Sequence, residues 1–211
     1  MKNEKVIALL SISVMLFLSG CNGCSSCYNG NGDNTIVDYV PEPSLFGPNE
    51  SNGIDINALE LRIHEIVNEL RVEYGAGELE FNKHLQAVAR KYSNYMAVEG
   101  FFDHIGLDGS TPKSRYDELN FSCYISIGTS TFLTGGENLY RNYLVSMNYY
   151  VNGTYDHSDY KTFEDLAQST VQGWMDSAAH RDNLLKPEWE TEGIGVAIAE
   201  NETVYITQDF C

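Results

Sequence analysis

The chain has 211 residues, 43% of them hydrophobic and 12% aromatic, which suits one ordinary domain with appendages and excludes a disordered chain. Thirteen basic residues face 30 acidic ones, a formal charge of −17 at pH 7. Such a surface repels phosphate backbones and anionic headgroups, so nucleic acid is excluded as a partner, and the acidity by itself signals solubility.

Lys2 and Lys5 precede an apolar run of 13 residues, Val6 to Leu18, the length of a signal-peptide core and too short to span a bilayer as a helix. The run ends in Leu18-Ser19-Gly20-Cys21, which resembles the lipobox of bacterial lipoproteins, where cleavage precedes the cysteine and its thiol takes a lipid. A membrane anchor at Cys21 is therefore expected, with a simply secreted protein as the alternative. Residues 22 to about 53 are rich in Gly, Asn, Ser and Pro with no period of 2 or 3.6, a flexible tether. Cys24 and Cys27 form a lone CxxC without the second pair that zinc needs, and a small disulfide loop is expected there. The organisation reads as a lipoprotein-type signal peptide over 1–20, a tether over 21–55 and a folded domain over 56–211.

Leu59, Ile63, Ile66, Val67, Leu70 and Tyr74 share one face of a first helix that Gly75 and Gly77 end. Asn82 stands at an N-cap position ahead of a second stripe of Leu85, Val88, Ala89, Tyr92 and Met96, closed by Gly100. Between Arg141 and Lys161 lies a Tyr- and Asn-rich stretch whose 144–151 portion can supply a strand. Thr162 to Asp165 is a capping-box pattern opening a third helix that buries Leu166, Thr170, Val171 and Trp174. Ser177 is placed to cap a short helix running to Leu185. Ile194, Val196 and Ile198 alternate with other residues, a turn follows, and Val204 to Phe210 continues as a strand. Helices first and a hairpin last predict an α+β fold, helices on a small antiparallel sheet.

Polar residues collect at the joints. His104 follows the second helix, Glu137 sits in Gly135-Gly136-Glu137-Asn138, and His180 lies between two helices. Two histidines and a carboxylate are the ingredients of a divalent-metal or acid/base site, although nothing in one dimension brings them together.

The segments FFDHIGLDGSTPKSRYDEL, GGENLY, WMDSAAHRDNLL and EGIGVAIA…YITQDFC occur in the order of the CAP superfamily (cysteine-rich secretory proteins, antigen 5, pathogenesis-related 1), and the chain is most similar to its prokaryotic branch. The resemblance covers about residues 56–211. It implies a three-layer α-β-α sandwich, an extracellular setting and a cleft lined by two histidines and two acids that in several members binds a divalent ion. By motif match His104 and His180 are the histidines and Glu137 the first acid. The glycines before it are expected to turn the backbone tightly and aim Glu137 into the cleft. Asn138 is expected to pin this loop by hydrogen bonds, and Arg181 to meet an internal acid. Where the eukaryotic pattern places the second acid this chain has Ser177, so the set reduces to His104, Glu137 and His180, with serine or water in the fourth place. Weakly held, exchangeable Zn²⁺ or another divalent cation is therefore the expected cofactor, with zinc lost below about pH 6.5 as histidine protonates. The tyrosines of the 141–161 insertion are candidates to roof the cleft.

Three functions compete: a cleft presented to a small ligand, a lipid or a surface partner; a metal-dependent hydrolase of peptide or cell-wall material; and a structural surface protein. No nucleophile completes a Ser/His or Cys/His set. Cys123 and Cys211 are expected to form a disulfide, since thiols oxidise outside the cell and the other three cysteines lie near the anchor. Loop closure over that separation is worth roughly 3–5 kcal/mol.

Overall fold

The computed structural model describes Glu50, Ser51 and Gly53–Cys211. The predicted signal peptide, the Cys21 anchor, the Cys24–Cys27 loop and the tether up to residue 49 lie outside the described residues. Strands β1 (Glu50–Ser51) and β2 (Ile54–Asp55) pair antiparallel, so the end of the predicted 21–55 tether belongs to the folded part. Asp55 caps α1 (Ile56–Glu73), its Oδ1 accepting from the Ala58 amide at 3.1 Å. The predicted stripe of α1 is inward at Leu59, Ile63 and Val67. Tyr74 departs from it: as the C-cap residue it leaves the helical repeat and is 59% exposed.

After the two-residue strand β3 (Glu80–Phe81), Asn82 caps α2 (Lys83–Glu99) by accepting from the His84 and Leu85 amides. Gly100, at φ +69°, ends it in the left-handed conformation that glycine adopts without strain. Helix α3 (Pro112–Glu118) was not expected, although Thr111-Pro112 carries its signal: proline at N1 and a capping box between Thr111 and Ser114. Two short strands, β4 (Ile125–Ser126) and β5 (Phe132–Leu133), lead to β6 (Gly136–Tyr143). Next come β7 (Val145–Val151) and β8 (Thr154–Tyr160), turned by Asn152 and Gly153 at φ +52° and +82°. Helix α4 (Phe163–Asp176) has the predicted Thr162–Asp165 capping box. In α5 (Ala178–Leu184) Ser177 occupies the N-cap position but its side chain makes no cap bond, contrary to expectation. Strands β9 (Thr191–Ile198) and β10 (Thr203–Phe210) form the predicted C-terminal hairpin.

The main sheet runs β3-β9-β10-β6, antiparallel except for the β3–β9 pair. Alternation along its strands builds two cores. Ile194, Val196, Val204, Ile206 and Phe210 pack with Leu59, Ile63 and Val67 of α1 and Leu166, Val171 and Trp174 of α4. On the other face Leu139 and Tyr205 meet Tyr92 and Met96 of α2. Each large side chain so buried contributes about 1.5–3 kcal/mol, and the product is an α+β, three-layer α-β-α sandwich. Helix α2 comes so close to the sheet that a Cβ on Gly195 would lie 2.1 Å from the Arg90 nitrogen, so Gly195→Ala must push the layers apart. Past the short β3, the edge of β9 is closed by the fully buried Glu60, whose Oε1 accepts from the Val196 amide at 3.0 Å while Arg90 neutralises it.

Cys123 and Cys211 are joined, with Cα atoms 5.5 Å apart and a sequence separation of 88. The link holds the residue after β10 against the segment that leads to β6. The β7–β8 hairpin springs from the Tyr143 end of β6, about 20 Å along the strand from Glu137 at 3.4 Å per residue. Tyr160, at its base, bonds Glu202 at the β9–β10 turn, and among the described residues no hydrogen bond or ring contact joins the hairpin's tyrosines to His104, Glu137 or His180.

Candidate functional site

Glu137 was expected in a loop and is instead the second residue of β6, paired across the sheet with Asp209 of β10. The glycines before it serve close packing as much as turning. Gly135 has φ +110°, and a Cβ there would lie 2.3 Å from the Tyr116 ring; at Gly136 it would lie 2.8 Å from Trp189. Strand alternation points Glu137 and Leu139 to the α2 face and Asn138 to the other.

His104 reaches the same spot from the end of α2. Phe101 packs edge-on against Tyr92 and Tyr95, Asp103 accepts from the Ile105 amide, and the Tyr92 hydroxyl donates to the Asp103 carbonyl. His104 Nδ1 then lies 2.7 Å from Glu137 Oε1, and the other carboxylate oxygen accepts from Arg115 Nη2. Arg115, on α3, is one residue that sequence reasoning missed. Its guanidinium stacks 3.4 Å from the Tyr92 ring centre, and its Nη1 donates to the carbonyls of His104 and Ser110. The Thr111-Pro112 helix start could have placed α3, but nothing local names Glu137 as its partner.

His180 enters from α5, with its ring centre 6.5 Å from that of His104 and the planes at 50°. Asn138 fixes this position: its side-chain NH₂ donates to the His180 carbonyl at 3.1 Å and to Gln208 at 3.0 Å, and its carbonyl oxygen accepts from Asn183. It thus pins α5 to the sheet, where a loop had been expected. Arg181, expected to meet an acid, donates to the Met175 carbonyl. Among the described residues no hydrogen bond joins the Ser177 side chain to the cleft.

A second acid lies nearby, one not singled out from sequence. Asp209 is fully buried beside Glu137, its Oδ1 accepting from the Tyr116 hydroxyl at 3.2 Å and its Oδ2 without a partner. Burial first, and the Glu137 charge second, push its carboxyl well above the usual range, which favours the neutral acid. The two imidazoles are pushed apart. The hydrogen bond to Glu137 raises the pKa of His104, whereas burial, with repulsion from His104, lowers that of His180. At a pH between their two values the cleft holds an imidazolium at His104 facing a neutral imidazole at His180.

In this arrangement His104, Glu137 and His180 do not converge as three ligands of one ion. Both Glu137 oxygens are engaged, so the acid orients His104 from behind instead of ligating, and the geometry leaves His104 Nε2 to face outward. Two imidazoles sharing a tetrahedral zinc would bring their ring centres to about 5 Å, closer than the 6.5 Å found. Among the described residues no group of three His, Cys, Asp or Glu side chains is arranged to hold a metal. The residues fit at most a weakly held cation on His104 and His180 with water completing its shell.

Residues 64–210 match the model of the CAP (cysteine-rich secretory protein) family. The chain is 27% identical over 151 residues to the uncharacterized membrane protein YlbC of Bacillus subtilis, covering 72% of this chain and 34% of that one. It is 28% identical over 155 residues to YkwD of the same organism, covering 74% and 48%. The match thus spans about a third and about half of those relatives. Among solved structures, an outer surface protein from Borrelia burgdorferi superposes with a TM-score of 0.55 at 17% identity, over 74% of this chain and 94% of that one. An extracellular SCP-domain protein from Bacillus anthracis gives 0.52 at 21% identity, over 78% and 44%. The four ordered motifs, the sandwich and the matched residues together assign the chain to the CAP family.

Proposed function

We propose that this chain is an exported, lipid-anchored CAP domain whose cleft binds a small polar ligand between His104 and His180. The observation that carries the reading is the facing imidazole pair of opposed protonation preference, 6.5 Å apart. His104 offers a charged donor from Nε2 and His180 a lone pair, so a ligand carrying both an acceptor and a donor is held at two points. A divalent cation is a second, weaker occupant. It must displace the proton from His104, whose raised pKa moves that competition to higher pH than for an ordinary histidine.

The same split supports a hydrolase as the alternative, with His180 as general base and His104 as proton donor. That reading needs water as the nucleophile, because Glu137 is fully engaged. Zinc serves as the probe of the cleft. Calorimetry is expected to find one weak site in the parent and none in His104→Ala or His180→Ala; equal binding by all three contradicts the cleft assignment. For the address, Cys21→Ala is expected to release the protein to the medium or leave it unprocessed, and unchanged membrane retention overturns the anchor.

A further inference from the structure

A groove of about 360 Å³ runs between α2 and the 108–119 segment, a volume suited to a small ligand. Val88, Tyr95 and Val98 of α2 and Leu119, just past α3, give it apolar walls. Tyr92 and Arg115 also line it, and Arg115 is shared with the cleft. That guanidinium is 7% exposed; its two terminal nitrogens hold Glu137 and the carbonyls of His104 and Ser110, but Nε has no partner. A buried cationic N–H left unpaired is costly, so an occupant that supplies an acceptor is favoured. Lys91 pairs with Glu118 and Arg115 with Glu137, so among the described ion pairs the exposed Asp108 is the lining charge left over. An anionic occupant is therefore repelled, and a cationic one gains little from Asp108, whose charge is screened by water.

We infer that the groove is a second binding site, distinct from the histidine cleft, for an uncharged peptide segment. One apolar side chain lies against Tyr95, Val98 and Leu119, and the adjacent main-chain carbonyl accepts from Arg115 Nε. An amide carbonyl is the acceptor that a peptide brings without charge, and it sits next to the apolar side chain that these walls require.

The test is a nitrogen-15 NMR titration of the full chain with N-acetyl-L-leucine methylamide, following the Arg115 Nε–H resonance. The expected result is a saturable shift, weakened at least tenfold by Val98→Trp, which fills the groove from a position 70% exposed and so spares the core. Val72→Trp, at a 57% exposed position on α1, and His180→Ala are expected to leave it unchanged. The proposal is overturned by the absence of a saturable shift, or by one that survives Val98→Trp. Loss of the shift in His180→Ala, or equal saturation by heptanol, which lacks the amide, overturns it as well.

Discussion

On one face of the sheet His104 Nδ1 lies 2.7 Å from Glu137; on the other, His64 of α1 holds Nδ1 2.6 Å from Glu192 of β9. Each carboxylate spends its second oxygen on another partner, Arg115 for Glu137 and Gln208 for Glu192. The chemistry is nearly the same and the surroundings are not. The far nitrogen of His64 meets the Asn68 amide at 3.3 Å, its ring packs edge-on against Phe81, and its side chain is 15% exposed. Asn68 is itself fixed by both polar groups of Leu79, so its NH₂ donates to His64 and the ring has no free atom to offer. His104 is 49% exposed, and a second imidazole faces it. A histidine–carboxylate pair becomes a candidate site when the imidazole's outer nitrogen is left open; plugged, the same pair is a fastener.

Urea unfolding of three variants sharpens the contrast. The largest loss is expected for Glu137→Ala, about 3–5 kcal/mol, because it strands the buried Arg115 without its carboxylate. His64→Ala is expected to cost about 1.5–3 kcal/mol, the value of a hydrogen bond to a charged group, since Glu192 is fully buried. For His104→Ala the expected loss is under about 1 kcal/mol, because half of that side chain is already in water and Glu137 keeps Arg115. Equal losses for the two histidine variants would erase the distinction between site and fastener.

Much of the scaffold could be read in one dimension because its signals are local. Asn82, Gly100 and the Thr162–Asp165 box mark helix ends through bonds made within three or four residues. The β9–β10 hairpin shows as simple alternation. Strand β6 hides because its alternate positions, Glu137 against Asn138 and Arg141 against Asn142, are polar on both faces, each buried member finding its partner on a distant element. The turn of the β7–β8 hairpin was written in Asn152-Gly153, yet not how it projects. Histidine and Glu137 positions in the site came from motif resemblance; Arg115 and Asp209 did not, since a charge tolerated inside a protein is explained only by partners far along the chain.

The opposed titration of the two cleft histidines carries the account. A raised folded-state value at His104 means that its contribution to stability is fully present below the unfolded value of about 6.5 and is lost as pH rises through the folded value. A depressed value at His180 works oppositely, destabilising the fold as pH falls from about 6.5 through the folded value. The most direct measurement is an NMR pH titration of both ring resonances in the parent and in Glu137→Gln. His104 is expected to titrate above and His180 below the ordinary histidine value, with Glu137→Gln bringing His104 down towards it. Coincident titration of the two rings, reversal of their order, or a His104 value indifferent to Glu137→Gln would contradict the account.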